Sequence, residues 1–239
     1  MSTTSPSVST DGEAAVVDPR LRACVDASVG WYEDLCALHG TATVLHDGLW
    51  SAVGPPPPLH SGVVVVEPGV TAGEVLDRMS STAGGVKDSF AEVDLGAHGW
   101  SLLFEASWLF RPPATERGAA PTGWTAVRSV EGLAAWTAGH DTAEVLLPGL
   151  LRLGHLVVLE RQVDGVPVAG AVARLGSGTV DVSNVHATPG HQVDWSELAA
   201  VVGQLFPGRP LVGYERENDL AAALAGGFQT TGELRVWVP

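Results

Sequence analysis

The sequence predicts a mixed α/β (α+β) fold made of two related halves, each with mostly antiparallel strands flanked by helices. Three observations predict it. Stretches with apolar residues at helical spacing alternate with short β-branched runs along the whole chain. Three such runs, His155 to Gln162, Val166 to Arg174 and Thr179 to His186, are separated only by Asp164-Gly165 and Gly176-Ser177-Gly178, the pattern of an antiparallel meander. An ordered set of features also recurs in the second half of the chain. With 239 residues, 45% of them hydrophobic and 17% charged, the chain has ample apolar material for a core.

Residues 1–17 are Ser/Thr-rich without periodicity and read as a disordered tail. Asp18-Pro19 opens a helix, with Asp as N-cap and Pro at the first helical position. Its apolar face is Leu21, Val25, Val29, Tyr32 and Cys36, and His39-Gly40 stops it. Asp47-Gly48 between two β-prone runs predicts a hairpin. Pro55 to Pro58 form a stiff connector, and Val63 to Val66 read as a buried strand. Thr71-x-x-Glu74 is a capping box that starts a helix through Met79. A short helix near Val93 to Ala97 and a strand from Leu102 to Phe110 follow.

Pro112 to Gly123, rich in Pro, Gly, Ala and Thr, reads as a linker. This divides the chain into a tail (1–17), an N-terminal half (18–112), the linker (113–123) and a C-terminal domain (124–239). The second half starts with a strand at Trp124 to Arg128 and a helix capped by Ser129. Another helix over Thr142 to Leu153 should kink at Pro148-Gly149. After the meander come a helix starting at Asp194-x-x-Glu197, a strand at Leu211 to Tyr214, a helix at Asn218 to Leu224, and a last strand at Leu234 to Val238.

The repeat shows in matched residues. Gly99-Trp100 corresponds to Gly227-Phe228, Glu105 to Glu233, and Trp108-Leu109-Phe110 to Val236-Trp237-Val238. Upstream, Glu67-Pro68-Gly69 with its capped helix corresponds to Pro189-Gly190 and the helix after it.

The formal net charge is −14, a field that repels polyanions and argues against nucleic acid as partner. No apolar run reaches the ~20 residues needed to cross a bilayer. The N-terminus lacks the basic and apolar regions of a signal peptide, so the expected location is cytoplasmic. The two cysteines, Cys24 and Cys36, stand twelve residues apart in one helix, a rise of about 18 Å that excludes a disulfide between them. Lys87 is the single lysine.

The element order of the second half, together with Asn218-x-x-Ala221-x-x-Leu224 followed by Gly227-Phe228 and a strand, resembles the GNAT superfamily of N-acetyltransferases. The resemblance covers residues 124–239 well and residues 20–112 faintly. It implies acetyl-CoA as cofactor, docked where the strand ending near His186 splays from the strand Leu211 to Tyr214. It places the acyl group beside the backbone of Val185 and Ala187, Asn218 against the cofactor, and the pyrophosphate on the helix that begins near Asp194, where free N–H groups and the helix dipole attract anions. Glu160 or His186 would serve as general base for an amine; Asp181, on the same meander, is a further candidate.

The chain departs from the family pattern at two points. Gly190-His191-Gln192-Val193-Asp194-Trp195-Ser196-Glu197 has neither the spaced glycines nor the arginine of the family's pyrophosphate loop. Asp194 and Glu197 instead place carboxylates at the helix start, each costing up to ~4 kcal/mol against a phosphate charge near 4 Å at an effective dielectric of ~20. The second departure is Ala225, which stands where the family often has a tyrosine acid. His186, His191 and Asp194 fit no zinc spacing. Two classes of function follow: a GNAT-like binding or regulatory module with weak or lost acyltransfer, or an active acyl-CoA-dependent N-acyltransferase on a small amine, a protein N-terminus or a lysine. The partner is a small molecule or a protein, without nucleic acid or membrane.

Overall fold

The computed structural model describes residues 16–80, 82–114 and 123–239. Most of the expected tail and linker, residues 1–15 and 115–122, lies outside the described residues.

Helix α1 (Pro19–Leu38) forms where the sequence places it, capped by the Asp18 carboxylate, which accepts from the Arg20 N–H at 2.8 Å. It buries Cys24, Val25, Ser28, Trp31, Tyr32, Leu35 and Cys36, a stripe at i, i+3 and i+4 spacing. Each large apolar side chain on it contributes about 1.5–3 kcal/mol of burial. Strands β1 (Ala42–His46) and β2 (Leu49–Val53) make the expected hairpin, with Asp47 and Gly48 both at positive φ. Strand β3 (Val63–Val65) leads to α2 (Ala72–Met79), whose capping box is complete in both directions. Next come β4 (Val86–Asp88), a 3₁₀ turn at Gly96–His98, and β5 (Ser101–Arg111).

The second half contains β6 (Trp124–Ala126), α3 (Val130–Ala138), β7 (Leu156–Val163), β8 (Val166–Gly176), β9 (Thr179–Ala187), α4 (Trp195–Leu205), β10 (Leu211–Glu215), α5 (Glu217–Ala225) and β11 (Gln229–Val238). Three elements differ from expectation. The helix expected over Thr142 to Leu153 is only a 3₁₀ turn at Pro148–Arg152, because Pro148 holds Leu147 in an extended conformation. The last strand starts at Gln229, not Leu234, since pairing with β5 carries it across Gly232. Strand β4 is too short and too charged to read as a strand, and forms because β3 and β11 flank it.

Among the described residues eleven strands join in one sheet, in the order β1-β2-β3-β4-β11-β5-β10-β9-β8-β7-β6. The halves exchange their last strands: β5 pairs with β10, and β11 pairs with β4. The β5–β11 ladder has an approximate two-fold axis at Ala106↔Leu234. Glu105↔Arg235 mirrors Ser107↔Glu233, and Leu102↔Trp237 mirrors Leu109↔Thr230. The two register shifts in this ladder, between Thr230 and Gly232 and between Val236 and Trp237, mirror each other in the same way. A single offset, that from Glu105 to Glu233, reproduces the whole ladder. The same operation relates Lys87, opposite Val236, to Tyr214, opposite Trp108.

Helix α1 covers the centre of one face of the sheet. It packs against Trp50, Val64, Ala106, Trp108, Val212 and Leu234, drawn from both halves. Helices α4 and α5 cover the opposite face of the second half over Leu109, Val180, Val182 and Leu211. Strand alternation follows: Val180 and Val182 face α4, so Asp181 faces α1.

Candidate functional site

The sheet opens between β9 and β10. These parallel strands pair only at Val180↔Leu211 and Asp181↔Val212 before they diverge. Above the split, β9 carries a bulge: His186 pairs with Gly170 and Ser183 with Val172, leaving Asn184 and Val185 opposite Ala171 alone. Asn184 sits at φ 51°, in the left-handed region. The bulge turns the Asn184–Val185 backbone out of the ladder, toward the opening.

Two cavities meet at Val185. One, of about 340 Å³, lies on the α1 side and is lined by Lys87, Asp181, Tyr214 and Glu215, among others. The other, of about 440 Å³, lies on the α4–α5 side and is lined by Val185, His186, Ala187, Trp195, Asn218 and Asp219, among others. Both are in the size range of small-molecule sites. The structure thus brings Val185, His186, Ala187 and Asn218 to one cavity.

Glu160 is not brought there. It lines neither cavity, and its carboxylate accepts from Gln162 Nε2 at 2.5 Å and Thr125 Oγ1 at 3.5 Å on the β6–β7 edge. Its strand, β7, stands two places from β9 and three from β10 in the sheet. Asp181, which ordinary solvation would place at the surface, is buried and faces the α1-side cavity.

His186 lines the α4–α5-side cavity and packs on His140, which lines the α1-side one. Its ring stacks on His140 at 4.3 Å and meets Trp136 edge-on at 4.6 Å. Nδ1 lies 3.1 Å from the Asn184 carbonyl, which can only accept, so Nδ1 carries the proton and Nε2 keeps its lone pair. Burial holds the His186 pKa below its ordinary value, and burial with the His186 ring beside it lowers His140 to about 4. Both rings are neutral at pH 7. Gly170 makes this packing possible, since a Cβ there would strike both the Trp136 and His186 rings.

At the start of α4, Asp194 Oδ1 accepts from the backbone N–H of Ser196 at 2.9 Å and of Glu197 at 3.0 Å, and from Ser196 Oγ at 2.7 Å. These bonds, that of the Glu197 N–H foremost, lower the Asp194 pKa and keep it ionised. Glu197 turns away and accepts from Arg161 Nε at 2.8 Å and Trp124 Nε1 at 3.2 Å. Among the described residues no reciprocal capping-box bond forms here, and Asp194 fills two first-turn donors, the Ser196 and Glu197 N–H groups.

The α1-side cavity holds residues that sequence reasoning passed over. Lys87 is 1% exposed, donates to Ser28 Oγ at 2.8 Å, and lies over the rings of Tyr214 at 4.0 Å and Trp108 at 4.7 Å. Burial lowers its pKa to about 7, with Asp181 working the other way. Burial raises Asp181 to about 6 and Glu215 to about 8. The one available signal was that Lys87 is the sole lysine, held between Val86 and Asp88 in a run that follows Gly84-Gly85.

The site thus consists of a split pair of strands, a bulged backbone and a cavity on either side, with the Ser196 and Glu197 N–H groups at the start of α4 bonded to Asp194.

No family model matches the sequence, and no curated protein does. Solved structures do match the fold. A GCN5-related N-acetyltransferase from Kribbella flavida is 18% identical, with TM-score 0.59, over 89% of this chain and 95% of that one. A GNAT-family structure from Novosphingobium aromaticivorans is 15% identical, with TM-score 0.58, over 92% and 97%. A GCN5-related N-acetyltransferase-like protein from Streptococcus suis is 12% identical, with TM-score 0.55, over 92% and 98%.

Proposed function

From the premise that the chain has the fold of GNAT N-acetyltransferases, we propose that it is a GNAT-like protein that admits a short acyl thioester at its strand split and has weak or lost acyltransfer from acetyl-CoA. One observation carries this reading: Asp194 Oδ1 bonds the Ser196 and Glu197 N–H groups at the start of α4. A helix start attracts an anion through free donors and its dipole. Here both are satisfied from within the chain, and the carboxylate adds charge of the wrong sign.

The test compares acetyl-CoA with acetyl-pantetheine by calorimetric titration at low salt. The two are expected to bind with the same weak affinity, because the nucleotide diphosphate contributes nothing. Acetyl-CoA binding at micromolar concentration, a hundredfold or more tighter than acetyl-pantetheine, would overturn the reading and leave an active acyl-CoA-dependent N-acyltransferase in its place.

That second reading has its own support in the α1-side cavity. Glu215 lines that cavity and is pushed up to about 8 by burial, so at neutral pH it holds a proton to give, and across Val185 the His186 Nε2 keeps a lone pair to take one. An amine screen with acetyl-CoA distinguishes the two readings by turnover.

A further inference from the structure

We propose that Lys87 is a covalent acyl-acceptor site, modified by short acyl thioesters that lack a nucleotide and enter the α1-side cavity. The proposal rests on the reading above that a thioester reaches the strand split while the diphosphate seat is closed.

The geometry is unusual for a lysine. The only lysine of the chain is turned inward, its Nζ set among Ser28 of α1 and the rings of Tyr32, Trp108 and Tyr214. Among the described residues, Nζ makes one hydrogen bond and no ion pair within 4.0 Å, although it has three donors as an ammonium. A structural buried lysine is expected to be paired and bonded on all sides. This one lines a cavity of about 340 Å³ that also reaches the bulged backbone at Asn184 and Val185. A second polar group there is unpaired: Thr142 Oγ1 is buried with no partner among the described residues. An open cavity with an underbonded amine and a free hydroxyl is built to receive a polar ligand.

The titratable groups that line this cavity with the amine are Tyr32 of α1, His60 of the β2–β3 connection, His140 after α3, Asp181 of β9, and Tyr214 and Glu215 of β10, and Cys24 of α1 acts on the amine as well. His60 and His140 are held near 4 by burial, so neither adds positive charge at neutral pH. Desolvation dominates at Lys87, and a substantial neutral fraction exists near pH 7. A desolvated neutral amine is the activated form of a lysine nucleophile.

The step balances without another reactant. The Nζ lone pair attacks the thioester carbonyl carbon and a C–N bond forms. The C–S bond breaks, the thiolate leaves, and the proton shed by nitrogen passes to sulfur. The products are an amide on Lys87 and a free thiol. Acylation removes the one amine of the cavity and leaves the Asp181 carboxylate without a basic neighbour there.

The probe is S-acetyl-N-acetylcysteamine, a small neutral thioester, applied to the full-length protein at pH 7.5. Labelling is followed by intact mass and by peptide mapping. The sole lysine makes assignment direct, because acetylated Lys87 resists trypsin and yields one peptide from Met79 to Arg117, the Arg111-Pro112 bond being resistant too. Lys87 is expected to label about 100-fold faster than a model lysine, the gain in neutral fraction being partly offset by the lower basicity of the amine. The rate should rise through pH 7 and level off. Lys87→Arg, which keeps the charge, should label only at the α-amino group. Labelling of Lys87 no faster than the model lysine, or only after denaturation, would overturn the proposal. This outcome is separable from failure of the proposed function, since binding of acetyl-pantetheine is read independently by calorimetry.

Discussion

Replacing Asp194 with glycine tests the closed diphosphate seat directly. Asp194→Gly frees two backbone donors, the N–H groups of Ser196 and Glu197, and removes one carboxylate. Hydrogen bonds to a charged group contribute about 1.5–3 kcal/mol each, and at this exposed helix start the lower figure applies, so two give about 3 kcal/mol. Asp194 is exposed, so its repulsion of a phosphate charge near 4 Å is about 1 kcal/mol, the value in water, and not the several kcal/mol of a more buried pair. Glycine is a fair N-cap, and its cost to the helix is a few tenths of a kcal/mol. The net gain is about 3–4 kcal/mol, or two to three orders of magnitude in affinity. Calorimetric titration of wild type and variant with acetyl-CoA and acetyl-pantetheine reads it. The variant should bind acetyl-CoA more tightly by that factor and acetyl-pantetheine as before. Unchanged acetyl-CoA affinity in a variant with wild-type helicity and Tm would refute the argument, and an equal gain for both ligands would show that the effect has nothing to do with phosphate.

Three further outcomes are expected. Gly170→Ala should destabilise the protein by about 1–3 kcal/mol, because its Cβ meets the Trp136 ring, fixed by its bond to the Leu159 carbonyl at 2.9 Å, and the His186 ring; urea unfolding measures it. Lys87→Met should be more stable than wild type at pH 6, and the advantage should shrink as pH rises from about 7 toward 10.5. In that window the unfolded chain holds the lysine proton and the folded one does not, so wild-type stability rises with pH, by at most about 1.4 kcal/mol per unit. Parallel unfolding curves at pH 6 and 9 check the sign. Finally, fragments 1–114 and 123–239 should each aggregate alone and form a soluble one-to-one complex when mixed, because β5 and β11 pair with strands of the opposite half. Size-exclusion chromatography decides it, and a soluble monomeric fragment would count against the exchange.

The sequence by itself determined the local elements. Asp18-Pro19, Thr71-x-x-Glu74, Asp47-Gly48 and Asp164-Gly165 act within a few residues, so caps and hairpin turns were legible from spacing alone. The matched residues of β5 and β11 were legible too, and so were the meander and the positions of Val185, His186, Ala187 and Asn218 near the split. What spacing could not tell was which strand lies beside which. Strand β4 has three residues and no pattern of its own, and exists because β3 and β11 supply its partners. The exchange of β5 and β11 between halves is a choice among pairings whose local sequences serve equally well, and burial under α1 decides it. The character of Lys87, Asp181 and Glu215 has the same origin. Charge in a sequence says nothing of solvation: the packing of α1 over both halves removes Lys87 and Asp181 from water and sets the amine among aromatic rings beside the open strands, while Glu215 is half-buried at the mouth of the same cavity.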